Sequence, residues 1–288
     1  MPRLFCFGLG YSPACLGHSL LGQGWSVAGT SRTEEGCAAL RARGFEAHLF
    51  DGERPLDDPS VLEGTTHLLT AVPPTESGDA VLSRHSPHIT GLETLAWVGY
   101  LSATSVYGNT GGAWVDESAA CHPRTERGRR RVAAEAAWLA LSRADGFPVH
   151  VFRLAGIYGP GRSALNQVRA GKARRIDMPD HLFSRIHVDD IVTVLNASMA
   201  RPNEGAIYNL CDDAPAPSAD VTAFACEILG VDPPPLVALT DAGLSPMARS
   251  FYADNRLVRN DRIKSELGVK LKYPDHRHGL RAILEAET

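Results

Sequence analysis

Short apolar runs alternate with helical stretches along the first half of the chain, and this alternation constrains the fold more than any other feature. The candidate strands are RLFCF, WSVAGT, FEAHLF, THLLTAV, LAWVGYLSA and PVHVFRL. Amphipathic segments of about 10–15 residues lie between several of them. Apolar strands alternating with such segments indicate βαβ units and a parallel sheet. We therefore predict an α/β fold built on a parallel sheet.

The pattern changes after residue 158. The next segment, GPGRSALNQVRAGKARRID, begins with turn residues and continues into a short amphipathic run. A length of 288 residues suits a core domain with a smaller partner. We predict a core domain over residues 1–158 and a smaller, mixed α/β lobe over residues 159–288.

Charge and cysteine content exclude several classes of protein. The net charge of −4 argues against general nucleic-acid binding, which needs a basic surface. The six cysteines are scattered and form no C-x-x-C pair, so we expect neither a metal site nor a redox motif. No apolar run is long enough to span a membrane, and the first residues do not have the layout of a signal peptide. We expect a cytoplasmic protein without a metal, a nucleic-acid partner or a membrane partner.

The first apolar run leads into a glycine-containing turn and then a helical stretch. Gly8 and Gly10 stand at this turn, and Tyr11, Ser12 and Pro13 follow at the start of the helix. Glycines here permit a tight turn and close approach of a pyrophosphate, which the helix N-terminus also attracts. Proline suits the first turn of a helix but has no N–H to donate. We predict a dinucleotide-binding loop; the alternative is an ordinary strand–turn–helix with incidental glycines.

The second candidate strand ends in Thr30, Ser31 and Arg32. A site that prefers NAD normally has an acidic residue here for the ribose 2′-hydroxyl, whereas an arginine can pair with a 2′-phosphate. We predict that Ser31 and Arg32 bind the cofactor and that NADP is preferred, with NAD as the alternative. The alternative is that Ser31 caps the next helix, with Glu34 closing a capping box, while Arg32 points to water; the two explanations are compatible.

Several motifs together resemble those of the extended short-chain dehydrogenase/reductase family, which includes nucleotide-sugar epimerases and dehydratases. They are YLSATSVYG (100–108), FRLAGIYGPG (152–161), SRIHVDDIV (184–192) and NRLVRNDRIKSELGV (255–269). The resemblance covers essentially the whole chain. It implies a Rossmann-type doubly wound parallel sheet with a smaller C-terminal substrate lobe, and a segment around 184–200 that returns to the core domain.

The same resemblance implies further cofactor contacts and a partner. The residues that match cofactor-binding positions of the family, besides the glycine loop, are Asp51, Ala71, Val72, Pro73, Ser102, Leu154 and Ala155. Family members often dimerise through the helix that here holds residues 127–143, so a homodimer is the corresponding expectation.

The catalytic residues of the family are not present. Its Tyr-x-x-x-Lys pair, aligned on Glu135, falls at Arg127 and Arg131. The tyrosine normally transfers a proton and the lysine lowers its pKa. An arginine stays protonated, so it can bind an anion or stabilise an oxyanion but is a poor proton shuttle. The segment RGRRRVAAE is therefore interpreted as an altered catalytic segment.

The helper hydroxyl of the family is displaced as well. It usually lies four residues before the tyrosine of V-Y-G, and counting back from Tyr107 gives Ala103. Ser102 and Thr104 flank that position. Successive side chains of a strand point to opposite faces, so the shift changes the geometry. We assign Thr104 to the catalytic set with Arg127 and Arg131.

The alternatives for these residues stay open from sequence alone. All four arginines of residues 127–131 could lie in water, although Arg127 and Arg131 share one helix face at i and i+4. Tyr107 is a candidate substrate contact or a packing residue. Arg185 is a candidate for a phosphate or carboxylate of the substrate.

Two functions are compatible with these features. One is an NADP-dependent oxidoreductase or epimerase with an altered active site, acting on a small molecule, with an anionic substrate as one option. The other is a catalytically inactive NAD(P)-binding sensor or scaffold. The glycine loop is compatible with both, and the replaced Tyr/Lys pair favours the second.

Overall fold

The computed structural model describes residues 1–287. The strands are β1 (Arg3–Phe7), β2 (Ser26–Ser31), β3 (Glu46–Leu49), β4 (His67–Thr70), β5 (Trp97–Ala103), β6 (Trp114–Val115), β7 (Val149–Leu154), β8 (Gly156–Tyr158), β9 (Arg175–Ile176), β10 (Leu182–Phe183), β11 (Arg185–His187), β12 (Ile207–Leu210), β13 (Ala216–Pro217), β14 (Leu236–Val237) and β15 (Leu257–Val258). The helices are α1 (Tyr11–Leu21), α2 (Glu34–Arg41), α3 (Ala80–Thr90), α4 (Glu126–Asp145), α5 (Ala164–Arg169), α6 (Val188–Ala200), α7 (Ser218–Leu229), α8 (Pro246–Ser250), α9 (Asp261–Ser265) and α10 (His276–Glu285). Within residues 1–287, none of the helices is long and apolar enough to cross a membrane.

The chain forms two compact units and passes back and forth between them. Unit 1 comprises Met1–Val106, Thr125–Arg153 and Val192–Tyr208. Unit 2 comprises Tyr107–Arg124, Leu154–Ile191 and Asn209–Thr288.

A seven-stranded sheet in the order β12-β7-β5-β4-β1-β2-β3 forms the centre of unit 1. The pairs β1–β2, β2–β3, β1–β4 and β4–β5 are parallel. The strand order reverses at β1, which is the arrangement of a doubly wound nucleotide-binding fold. The predicted α/β fold with a Rossmann-type sheet is confirmed.

The strands of this sheet are apolar runs because helices cover both faces, as in parallel sheets generally. Every residue of β7 is buried, and so are six of the seven in β5. The core below them includes Trp138 from α4 and Phe5 from β1. This buried sheet is a rigid support for the loops that follow its strands.

Helix α4 begins with several arginines, whose charges are partly balanced within its first turn. Thr125 caps the helix, since its side chain accepts a hydrogen bond from the Gly128 amide at 3.1 Å. Glu126 in the first turn forms ion pairs with Arg129 at 2.8 Å and with Arg130 at 3.4 Å. A carboxylate at this position also suits the helix dipole. These ion pairs offset the unfavourable effect of placing positive charges near the positive end of the helix dipole.

The cap of α2 differs from the alternative considered for Ser31. Ser31 is still paired with Leu49 in the sheet, and the cap comes two residues later, where the Thr33 hydroxyl accepts from the Gly36 amide. A capping role of Ser31 is therefore wrong. A side chain at Gly36 would also collide with the Ser31 hydroxyl oxygen.

Unit 2 is built from two-stranded sheets and short helices. The pairs β8–β11, β9–β14 and β6–β15 are parallel, and β10–β13 is antiparallel. Its core joins α5, α7 and α10 through Leu165, Phe224 and Leu280. Helix α7 ends at Gly230 with a φ of 67°, a left-handed conformation that suits glycine.

Candidate active site

Most of the predicted site residues of unit 1 lie at one edge of its sheet. Gly8 follows β1, Arg32 follows β2, the Ala71–Pro73 segment follows β4, and Thr104 follows β5. Since these strands are parallel, their carboxyl ends share an edge. Ligands of doubly wound folds bind in the crevice at this edge.

The glycine turn is held by hydrogen bonds to β2 and packs against the segment after β4. The Gly8 amide donates to Thr30 Oγ1 at 2.8 Å, and the Leu9 amide donates to the Thr30 carbonyl at 2.9 Å. Gly8 has a φ of +79°, and a Cβ there would lie 3.4 Å from the Val72 amide nitrogen. The Cβ distance is an ordinary van der Waals contact, so it is the left-handed conformation that favours glycine at this position.

The N-terminus of α1 follows the turn directly. The helix starts at Tyr11 after Gly10, and among residues 10–21 it has no side-chain cap and no acidic residue in its first turn. Ser12 and Pro13 are buried. A long helix that begins without an acidic cap presents its positive end, which suits a phosphate group.

Arg32 extends from the end of β2 and is exposed. Among residues 1–287 it has no ion-pair or side-chain hydrogen-bond partner. Its guanidinium is therefore available for a ligand phosphate. Ser31 precedes it at the last position of β2 and is half-buried.

Asp51 lies in the turn after β3, where it organises the backbone. Its Oδ1 accepts from the amides of Glu53 at 2.8 Å and Arg54 at 3.3 Å, and these amides hold the pKa of the carboxyl below its usual range. Its contact with an adenine stays a prediction.

Arg127 and Arg131 have different surroundings although they share one face of α4. Arg127 is exposed, whereas Arg131 is half-buried. Arg131 Nη1 donates to the Leu101 carbonyl of β5 at 2.7 Å. Its guanidinium also lies near the buried Tyr100 hydroxyl and the Asp79 carboxyl, whose pKa values are both raised by burial. The explanation that all four arginines lie in water does not hold for Arg131.

A buried polar network lies one helical turn further along α4. Glu135 Oε1 accepts from the Ser102 hydroxyl at 2.5 Å, and Glu135 Oε2 accepts from Arg153 Nη2 at 2.8 Å. These three side chains tie α4 to β5 and β7. The motif resemblance placed Glu135 on α4 but gave no sign of its ion pair with Arg153.

The hydroxyl of Ser102 is thus engaged within unit 1, and its role in cofactor binding stays a prediction. Thr104 begins a 3-10 turn at the end of β5 and is 8% exposed. Ala103 between them has no hydroxyl. Thr104 is the next hydroxyl at this strand end.

Tyr107, Leu154 and Ala155 belong to unit 2 and are buried. The Tyr107 hydroxyl donates to Asn209 Oδ1 at 2.7 Å. This contact favours the packing alternative for Tyr107 over substrate binding. The roles of Leu154 and Ala155 near a nicotinamide stay predictions.

Arg185 in unit 2 forms hydrogen bonds with backbone carbonyl groups. Its Nη1 donates to the carbonyls of Phe183 at 2.8 Å and Ala216 at 2.9 Å. The buried carboxyl of Asp212 lies nearby. Burial raises the pKa of Asp212, although the positive charge of Arg185 acts to lower it. Within the described residues we find no cluster of three or more His, Cys, Asp or Glu side chains suited to a metal ion.

Comparison with known proteins agrees with this geometry. Residues 88–211 match the model of the NAD dependent epimerase/dehydratase family. The chain is 30% identical over 296 residues to Protein YeeZ of Escherichia coli K12, covering 96% of this chain and 97% of that protein. The chain therefore belongs to the NAD dependent epimerase/dehydratase family, as the resemblance of its motifs predicted.

Solved structures show the same fold. A functionally unknown conserved protein from Silicibacter pomeroyi is 50% identical, with a TM-score of 0.92 over 99% of both chains. The UDP-glucuronic acid 4-epimerase of Bacillus cereus, solved with UDP-glucuronic acid and NAD, is 14% identical, with a TM-score of 0.78 over 99% of this chain and 100% of that chain. The second likeness concerns the fold alone.

Proposed function

We propose that the chain binds a nicotinamide dinucleotide at the edge formed by the ends of β1, β2 and β4. The observation that carries this proposal is Gly8, whose positive φ and missing Cβ suit a backbone that approaches a pyrophosphate. The N-terminus of α1 adds a positive end beside it. The Bacillus cereus epimerase of the same fold was solved with NAD.

The preferred cofactor in this proposal is NADP. Arg32 stands where an acidic residue would bind the ribose 2′-hydroxyl, and its guanidinium is exposed. A 2′-phosphate would form charge-assisted hydrogen bonds with it. NAD lacks that phosphate and would gain nothing from Arg32.

The proposed activity is that of an oxidoreductase or epimerase with an altered active site. The bound dinucleotide supplies hydride transfer. Arg127 binds an anionic group of a small substrate, and Arg131, fixed on the Leu101 carbonyl, adds positive charge beside a substrate oxygen. Thr104 orients that oxygen. Since an arginine does not release its proton, the substrate or solvent has to supply the proton that a tyrosine would transfer.

A second candidate is a protein that binds the dinucleotide without turnover, as a sensor or scaffold. The observation that favours it is the loss of all three usual catalytic positions, at Ala103, Arg127 and Arg131, together with the engagement of the Ser102 hydroxyl by Glu135.

Calorimetric titration with NADPH, NADH and NADP⁺ tests the cofactor proposal. We expect NADPH to bind more tightly than NADH in the wild type, and Arg32→Ala to remove most of that difference. Arg84→Ala, which removes an exposed arginine of α3, is the matched control and should change neither affinity. Failure of every dinucleotide to bind would refute the proposal, and equal effects of Arg32→Ala on both cofactors would refute the NADP preference.

The proposal includes a homodimer formed through α4. Ala133, Ala136, Ala137 and Ala140 are exposed and lie on one face of this helix. Small residues let two helices pack closely. Sedimentation equilibrium should give a dimer that Ala137→Glu dissociates; a monomeric wild type would contradict this part.

A cytoplasmic location completes the proposal. All six cysteines lie in the described part of the chain and are free thiols. Free thiols persist in a reducing compartment. Cell fractionation that places the protein outside the cytoplasm would contradict it.

A further inference from the structure

The loop after β3 in unit 1, residues 50–56, is fastened to its neighbours at both ends, and we call it the β3 loop. At its start, the Phe50 amide donates to the Ser31 carbonyl at the end of β2, at 2.8 Å. At its far end, the Leu56 amide donates to Nε2 of His85 on α3 at 3.2 Å. Because β3 is parallel to β2, the loop begins at the same edge of the sheet as the glycine turn.

The bond from the Leu56 amide determines the protonation of the His85 ring. A backbone N–H can only donate, so Nε2 is the acceptor and the proton of the neutral ring is on Nδ1. Burial, together with the neighbouring charges of His88 and Arg84, lowers the pKa of His85 to about 4, so the ring is neutral near pH 7.

The core fixes the place of this acceptor. The His85 side chain is fully buried. Its ring packs against those of Phe7 and Phe50, with centroid distances of 5.3 Å and 5.4 Å. A side chain held in this way has little freedom, so Nε2 presents a stationary acceptor to the loop.

The β3 loop touches α3 at a second point as well. Gly52 has a φ of +87°, and a Cβ at this position would lie 3.3 Å from the Cβ of Ala80 in the first turn of α3. The Leu56 side chain is buried in the same core as Val81. The loop is therefore seated on α3 along most of its length.

The β3 loop carries Asp51, for which the resemblance to the extended short-chain dehydrogenase/reductase family predicts a contact with adenine. Asp51 lies between the anchors at Ser31 and His85, and its carboxyl organises the amides of Glu53 and Arg54. A loop that has to be ordered when a ligand binds lowers the affinity, whereas a loop held beforehand does not. The two anchors therefore matter for any ligand that meets this loop.

We propose, building on the dinucleotide site proposed above, that His85 is a positioning residue for the adenosine end of the cofactor. Its Nε2 holds the Leu56 amide and thereby keeps the β3 loop, with Asp51, in place for binding. His85 is fully buried and acts only through the loop. It does not contact the cofactor itself.

Two replacements of His85 separate its hydrogen bond from its packing. His85→Gln keeps an acceptor that can reach the Leu56 amide but loses the ring, whereas His85→Phe keeps a ring and has no acceptor. If the hydrogen bond positions the loop, the Gln variant should bind the cofactor nearly like the wild type, and the Phe variant should bind it about fivefold more weakly or worse. If packing alone mattered, the order of the two variants would be reversed.

Calorimetric titration of the full chain with NADPH and with adenosine 2′,5′-bisphosphate, the adenosine half of NADPH, measures these affinities. AMP is the corresponding half of NAD and serves as a third probe. The dinucleotide and its adenosine half should weaken by the same factor, because the lost contact lies at that end. His88→Phe, at an exposed histidine three residues further along α3, is the matched control and should leave all affinities unchanged.

A second pair of variants disturbs the loop without replacing a buried side chain. Gly52→Ala would press the loop away from Ala80, whereas Gly64→Ala changes a glycine with a φ of +71° and no atom of the described chain within 4 Å of a new Cβ. Only Gly52→Ala should weaken the binding of adenosine 2′,5′-bisphosphate, by about threefold or more. This pair is decisive if circular dichroism shows that the His85 variants do not fold.

The possible outcomes separate this role of His85 from the dinucleotide site itself. A wild type that binds none of the three probes would refute the dinucleotide site. If the wild type binds, the positioning role is overturned when His85→Phe binds as tightly as His85→Gln or more tightly, and the site remains. If the His85 variants do not fold, equal binding by Gly52→Ala and Gly64→Ala overturns it instead.

Discussion

Arg153 and Glu135 form an ion pair inside unit 1, with Nη2 of the arginine 2.8 Å from Oε2 of the glutamate and each side chain only 5% exposed. The Ser102 hydroxyl donates to the other carboxylate oxygen. The network joins α4 to the ends of β5 and β7. Arg127 and Arg131 lie on the same helix, so the network also fixes where they stand.

Replacing one partner of this pair should be strongly destabilising. Glu135→Leu leaves the Arg153 guanidinium buried without a counter-charge, and we expect the free energy of unfolding to fall by about 3–5 kcal/mol. Urea unfolding followed by circular dichroism measures the change. Glu126→Leu, at an exposed partner of Arg129 and Arg130, is the control and should change stability far less, because exposed ion pairs are screened by water.

The double variant Glu135→Leu/Arg153→Met tells the value of the ion pair apart from the cost of leaving one buried charge unpaired. Because an apolar pair of similar volume avoids the cost of burying charges, much of the lost stability should return. If the double variant lost as much free energy of unfolding as the single variants Glu135→Leu and Arg153→Met lose together, this explanation of the network would be wrong.

Gly8→Ala should impair cofactor binding more than it impairs folding. An alanine at a φ of +79° costs about 1–2 kcal/mol. Its Cβ would lie against Ala71 and Val72, within the loops that are proposed to hold the pyrophosphate. Gly24→Ala is a matched control, since Gly24 has a φ of +81° and nothing within 4 Å of a new Cβ. Both variants should lose similar stability, but only Gly8→Ala should lose NADPH affinity in calorimetry. Equal NADPH binding by the two variants would remove Gly8 from the site.

The fold could be predicted because its signals are local. The apolar runs of β5 and β7 are buried on both faces, so continuous hydrophobic stretches mark these strands directly. The start of α1 after Gly8 and Gly10 is also local, since the turn needs glycine where φ is positive. The alternative that Ser31 caps α2 is wrong because Ser31 continues the sheet pairing with β3, which the local sequence does not show.

The polar interior could not be predicted in the same way. Glu135 and Arg153 are 18 residues apart and meet only when α4 packs on the sheet. The bond of Arg131 to the Leu101 carbonyl likewise depends on packing, so two arginines with one helical spacing have different surroundings.

Arg127→Ala should remove activity without affecting the fold. Arg127 is exposed, so its loss should change the free energy of unfolding by less than about 0.5 kcal/mol. A reductase assay with NADPH against a panel of small anionic carbonyl compounds provides the measurement, with NADPH affinity unchanged. Arg129→Ala, an exposed neighbour paired with Glu126, is the control and should retain activity. A fully active Arg127→Ala variant would remove this residue from the mechanism.

Stability should fall as the pH is lowered from about 6.5 towards 4. Burial lowers the pKa of His85, His187 and His276 from 6.5 to about 4. In this window the unfolded chain binds protons at these residues and the folded chain does not, so acidification favours unfolding. The stability that these histidines contribute is fully present above pH 6.5 and is lost by about pH 4. The buried carboxyls of Asp79 and Asp212 have raised pKa values and act in the opposite direction. The wild type and the His276→Phe variant both contain these carboxyls, so the difference between the two proteins isolates the contribution of His276. Urea unfolding at about pH 7.5 and about pH 5 should show a smaller loss of stability in the variant, and an equal loss in both chains would show that His276 does not contribute.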